Sequence, residues 1–277
     1  MPNLRVIHDN AVDRGTVTAS STAAGYPASN LLTDRKVEVH RSTGTSVTYK
    51  VTWPSLETVG MMALPSSNAS ETATVRMRAW DAEVGGSLLA DTGTIYAAPG
   101  ADLGMWDWEM PLNSNAALYG GDVKATAYFA DHVAARRVEI EVIDLDNPAG
   151  YIDQARLVVG QYWEPEHNAE LGSARVSVID TSKVSRADSG DPVVDRGTLH
   201  SALAFDMTWL DPEDRARLAH ILRGCGLYRP LFISIYPESE DVLTEQDCMI
   251  YGRIKAMPAL THARLGLFAS QLEIEGW

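Results

Sequence analysis

"RRVEIEVIDLDNPAGYIDQARLVVGQYWEPEHNAELG", residues 136–172, carries the pattern on which the fold reading turns. From Val138 to Val142 apolar and charged residues alternate, the period-two signature of a strand with one buried and one wet face. The run stops at Asp144-Leu145-Asp146-Asn147, a string of turn formers, and re-enters through Gly150-Tyr151-Ile152. A second apolar run, Leu157-Val158-Val159, ends at Gly160, and Trp163-Glu164-Pro165 closes the segment. The stretch from Glu164 to Gly172 is polar and has no period. It reads as the last strands of one domain followed by a linker.

Working outward towards the N-terminus, the same alternation returns at Ser46–Trp53 and Ala73–Trp80. Turn formers punctuate these runs at Pro65-Ser66-Ser67-Asn68 and Asp91-Thr92-Gly93. Many short strands at near-regular spacing predict a sandwich or barrel over residues 1–165. Towards the C-terminus the pattern changes. Strand-like runs at 174–179 and 199–207 precede one helix, predicted over 212–223. Asp211 caps it, Pro212 suits its first position, and Glu213 and Asp214 complement the positive end of its dipole. Leu218, Ile221 and Leu222 form its apolar stripe, and Gly224 is the expected stop. Runs at 231–236, 249–254 and 265–274 complete a β-β-α-β-β-β unit over 171–277, a mainly β chain of two domains.

The 277 residues are 45% hydrophobic and 22% charged, enough to build a core. The formal charge of −14 repels a phosphate backbone, so no nucleic-acid-specific binding is expected. No apolar run approaches the ~20 residues of a spanning helix. Met1-Pro2-Asn3-Leu4-Arg5 lacks the pattern of an export signal, so Cys225 and Cys248 are expected as reduced thiols in a protein made in a cytoplasm. The Asn68-Ala69-Ser70 sequon is then expected to be idle.

No nucleotide-binding glycine loop, zinc spacing or nucleophile elbow occurs, so no enzyme activity is expected. Three clusters remain. Asp144, Asp146 and downstream Asp153 offer hard oxygen ligands for calcium, against a plain turn whose side chains satisfy local backbone groups. The turn is preferred, because the alternating acids and fixed glycine of a calcium loop are missing. Glu164, Glu166, His167 and Glu170 are either a metal or acid–base site or the solvated charge of a linker, and the linker is preferred. Trp106, Trp108 and Tyr119, beside Asp107 and Glu109, have the aromatic–carboxylate character of a sugar-binding cleft, against buried aromatic core.

Two stretches carry a resemblance. "TVTASSTAAGYPASNLLTDRKVEVHRST", residues 16–43, resembles the opening of discoidin-like (coagulation-factor type) jelly-roll domains, with its turn at Tyr26, Pro27, Ala28, Asn30, Leu31 and Leu32. His40 stands where that family usually has tryptophan. Residues 136–172 are similar to the end of that domain in tail proteins of long-tailed bacteriophages, through Arg137, Ile140, Gly150, Tyr151, Ile152, Arg156, Leu157, Gly160, Trp163, Pro165 and Asn168. "SRADSGDPVVDRGTLHSALAFDMTWL", residues 185–210, looks like that group's second half, a tail-tube-like module. The resemblance implies a structural protein of a virion tail tip or baseplate, made in a bacterial host. Its implied partners are other tail proteins and further copies of itself in a ring, with a peripheral jelly roll. An acidic lumen would not trap passing DNA. The alternative function is a carbohydrate- or cell-surface-binding module for host attachment.

Overall fold

Two strands of unusual length, Ser46–Ser67 and Val123–Ile143, organise the first half of the protein. Strands usually run about 3–10 residues, and these two continue by bending. In the computed structural model, which describes residues 2–98, 123–264 and 266–276, their antiparallel pairing slips between Thr52 and Glu57, Val59 and Met61, and Leu64 and Ser67. Such bulges bend a strand and increase its local twist. The first slip falls at exposed Pro54, which has no N–H to give to a ladder. The Pro65–Asn68 turn expected from sequence is a correction: the strand runs on through Ser67.

Before the bend, Ser46–Thr52 lies between Thr16–Ala19 and Arg137–Ile143, with Thr74–Trp80 beyond. After it, Met61–Ala63 pairs with Val158–Gly160 on one side and Thr126–Tyr128 on the other. The inward faces enclose one apolar core containing Tyr49, Val51, Trp53, Met62, Leu64, Met77 and Ile140. The predicted alternation holds residue by residue over Ser46–Trp53 and Thr74–Trp80. The result is a mainly β, sandwich-type fold.

By its contacts the chain divides into two compact units, Met1–Pro165 with Leu231–Met249, and Glu166–Pro230 with Ile250–Trp277. Leu231–Ser234, which the sequence reading places in the second domain, pairs antiparallel with Arg5–Ile7. Residues 238–248 are not a free loop. Val242–Asp247 is a short helix capped by Asp241, and the Gln246 amide exchanges hydrogen bonds with the Lys124 backbone N–H (3.0 Å) and carbonyl (2.6 Å).

In the second unit, Leu199–Leu210 lies between Arg175–Asp180 and Leu267–Gly276, with Gly252–Ile254 and Thr261–Arg264 also on Leu267–Gly276. The helix spans Pro212–Cys225 and packs on these strands through Leu218, Ile221, Leu222 and Cys225. Asp211 caps it as expected, accepting from the Asp214 N–H at 2.6 Å. Its stop is Gly226, at φ +56°, rather than Gly224, which remains helical. A left-handed φ of this kind is where glycine has its advantage. Cys225 and Cys248 are both buried, and no disulfide joins them.

Candidate functional site

The motif residues at 26, 41 and 151–153 meet at one surface corner of the first unit. The two-residue strands His40–Arg41 and Asp153–Gln154 pair in a register that sets Arg41 directly opposite Asp153. Opposite charges so placed interact across the ladder. Here the pair is a fork: Arg41 Nε and Nη2 donate to the two Asp153 oxygens, each at 2.7 Å. The hydrogen bonds to Asp153 hold the Arg41 pKa above the usual arginine value. The guanidinium carbon also sits 4.5 Å from the Tyr26 ring centre and 3.9 Å from that of Tyr151. A cation between two ring faces is attracted to both.

Local turns aim these groups. Gly25 at φ +85° turns the chain into Tyr26, and Gly150 at φ +72° turns it into Tyr151. Asn68 then clamps the second turn, its amide donating to the Tyr151 carbonyl (3.0 Å) and accepting from the Asp153 N–H (2.8 Å). The Arg41 and Asp153 side chains keep 27% and 20% of their surface exposed, so the corner is rigid yet open to solvent. It offers aromatic edges, charge-assisted donors and carboxylate acceptors within one small area, and no nucleophile–base pair. That inventory suits binding of a polar, hydroxyl-rich ligand.

Behind the corner lies His40, fully buried. Its Nδ1 is 3.1 Å from the Tyr49 hydroxyl and its Nε2 3.2 Å from the Thr22 hydroxyl. This is how the chain accommodates histidine where the resemblance leads one to expect tryptophan. Burial lowers its pKa below the ordinary 6.5. The unfolded chain therefore binds the proton more readily, so stability is fully present above about pH 6.5 and falls as pH drops towards the lower folded value. Melting temperatures from pH 7.5 to 5 should fall more steeply for the native chain than for His40→Gln. Equal slopes would show that His40 is not the titrating group.

The acidic turn is a fastening. Asp144 is fully buried and accepts from the Ser70 N–H (2.8 Å), the Ser70 hydroxyl and the Asn147 amide. Asp146 accepts from the Thr72 hydroxyl at 3.2 Å, while Asp153 belongs to Arg41. Among the described residues no three His, Cys, Asp or Glu side chains converge as metal ligands. The structure thus assigns separate local partners to the three carboxylates weighed for calcium.

Asn68 and Ser70 of the sequon also hold these turns. Of the linker cluster, Glu164 pairs with Arg5 at 3.0 Å and accepts from the Asn3 N–H, and the Glu166 N–H donates to Asp214. Trp106, Trp108 and Tyr119 lie outside the described residues. Sequence reading missed the Arg41 corner, although the Tyr26, Arg41 and Tyr151 motifs were visible as turns. Nothing local signals that they meet.

Fold and site define a β-sandwich protein with a solvent-open arginine–tyrosine corner held by Asp153. No protein-family model and no curated protein matches the chain. Among solved structures it is similar to chitosan-binding module 1 from the chitosanase/glucanase of Paenibacillus sp. IK-5, at 16% identity and a TM-score of 0.40, over 56% of this chain and all of that one. It is similar to the family 32 module of C. perfringens NanJ in complex with galactose, at 17% identity and a TM-score of 0.37, over 58% of this chain and 99% of that one. A GH29 fucosidase from Ruminococcus gnavus overlaps at 13% identity and a TM-score of 0.40, over 58% of this chain but only 28% of its own.

Proposed function

We propose that the chain is a non-catalytic carbohydrate-recognition protein whose first unit contacts glycan at the Tyr26–Arg41–Tyr151 corner. The observation that carries this reading is the solvent-facing Arg41 guanidinium, fixed by Asp153 and flanked by two tyrosine rings. Arg41 and Asp153 need no rearrangement to meet a ligand, which limits the ordering cost of binding. On a glycan array, the intact chain should bind at least one glycan class, and Tyr151→Ala should weaken that signal by about tenfold, the ~1.4 kcal/mol scale of one lost aromatic contact. Binding unchanged in Tyr151→Ala at an unchanged melting temperature would remove the corner from the account.

A second reading concerns assembly, and one feature of the second unit favours it. Strands Arg175–Asp180, Lys183–Arg186 and Pro192–Asp195 are exposed over nearly their whole length and carry Val176, Val178, Val184, Val193 and Val194, all at least 47% exposed. A two-stranded ribbon is marginal alone in water, and unpaired edges template pairing with another chain. On this reading the chain is a structural component of a long-tailed phage tail tip or baseplate. The ribbon meets neighbouring tail proteins or further copies in a ring, and the jelly roll reaches host glycans from the periphery. Sedimentation velocity should show a concentration-dependent oligomer that Val184→Glu with Val194→Glu abolishes. A strictly monomeric native chain would rule out self-assembly through the ribbon.

A further inference from the structure

Asp153 does more at the corner than hold Arg41 in place. Its two oxygens accept the Nε hydrogen and one Nη2 hydrogen of Arg41, each at 2.7 Å. A forked pair of this kind is strong and fixed in geometry. It also sets a full negative charge against a full positive one, so the pair carries hydrogen-bonding groups with little net charge.

Hydrogen-bonding capacity remains after the fork. A guanidinium has a second Nη2 hydrogen and both Nη1 hydrogens left to donate, and each carboxylate oxygen keeps a further lone pair. Among the described residues, the side-chain hydrogen bonds of Arg41 go to Asp153 alone. Donors and acceptors therefore lie side by side on side chains that are 27% and 20% exposed. A hydroxyl can accept from Arg41 and donate to Asp153. A carboxylate cannot donate, and an ammonium cannot accept.

Charge on a ligand is opposed from either side. A carboxylate drawn to Arg41 meets the Asp153 oxygens at the same guanidinium, and an ammonium drawn to Asp153 meets Arg41 there. A like charge placed against a competitor is a common source of selectivity. The formal charge of −14 on the whole chain adds to the exclusion of anions.

We infer that the corner selects uncharged, hydroxyl-bearing sugar residues, and that Asp153 sets this selectivity by cancelling the Arg41 charge. This selectivity rests on glycan recognition at the corner, as proposed above. The intact chain is applied to an array of galactose- and glucose-terminated glycans beside sialic-acid-, glucuronate- and glucosamine-terminated ones. Signal is expected on the uncharged probes, changing less than about twofold between roughly 0.05 and 0.5 M salt, because no net charge is there to screen. Asp153→Asn leaves the Arg41 charge uncompensated. It should raise the signal on sialic-acid or glucuronate probes relative to uncharged ones by about tenfold, a gain that high salt removes. Asp153→Ser should shift the preference in the same direction, and melting temperatures check that both variants fold. If neither folds, the charge preference and salt response of the native chain still decide. Native binding that favours charged probes, or folded variants that keep the native preference, would overturn the role of Asp153 while leaving glycan recognition intact. A native chain that binds no probe would overturn both.

Discussion

Trp53→Ala is expected to lower the unfolding free energy of the first unit by about 3–5 kcal/mol, the usual range for emptying a large aromatic site. Trp53 is 1% exposed and belongs to the main core. Its indole N–H donates to the Ala11 carbonyl at 2.7 Å, tying the N-terminal turn to the long strand just before its bend. The surroundings are too tight to collapse inward cheaply: a Cβ added to Gly15 would lie only 2.8 Å from the indole nitrogen. Alanine therefore leaves a cavity and a buried carbonyl without its donor. Urea unfolding followed by circular dichroism would read the loss as a lower midpoint. A change below about 1 kcal/mol, the scale of an ordinary surface substitution or less, would mean that Trp53 is not a core anchor.

Leu222→Asp should unfold the second unit. Leu222 is 4% exposed in the centre of the helix stripe that covers the strands. An unpaired carboxylate there costs several kcal/mol, against the ~5–15 kcal/mol that holds a domain together. Hydrogen exchange read by mass spectrometry should show protection lost across Leu199–Leu210, Pro212–Cys225 and Leu267–Gly276. Protection across Ser46–Thr52 and Arg137–Ile143 should persist. Simultaneous loss in both sets would show that the two units unfold as one.

The contrast between these residues marks what sequence can reveal. Leu222 was legible, because a 3.6-residue stripe after an Asp-Pro cap is a local pattern. So were the strands at Ser46–Trp53 and Thr74–Trp80, because alternation is also local. The return of Leu231–Ser234 to Arg5–Ile7 was not, since partner choice between distant strands leaves no periodic trace. The helix stop at Gly226 rather than Gly224 depends on which glycine the backbone carries into positive φ. The candidate site failed for the same reason as the distant strand pair. Arg41 and Asp153 are 112 residues apart, and each looks like an ordinary turn residue beside a tyrosine. The acidic turn was legible as a turn, because Asp144 to Asn147 is a local cluster of turn formers, whereas its Ser70 partner lies 74 residues away.

The most direct test of glycan recognition at the Arg41 corner is a heteronuclear NMR titration of the intact chain with a glycan selected on the array. The account predicts the largest shifts at the Tyr26, Arg41, Tyr151 and Asp153 amides and at the Arg41 Nε–H, saturating with one affinity. Shifts confined to Trp106, Trp108 and Tyr119, with the Arg41 resonances unmoved, would contradict it and return the binding site to the aromatic cluster first read from the sequence.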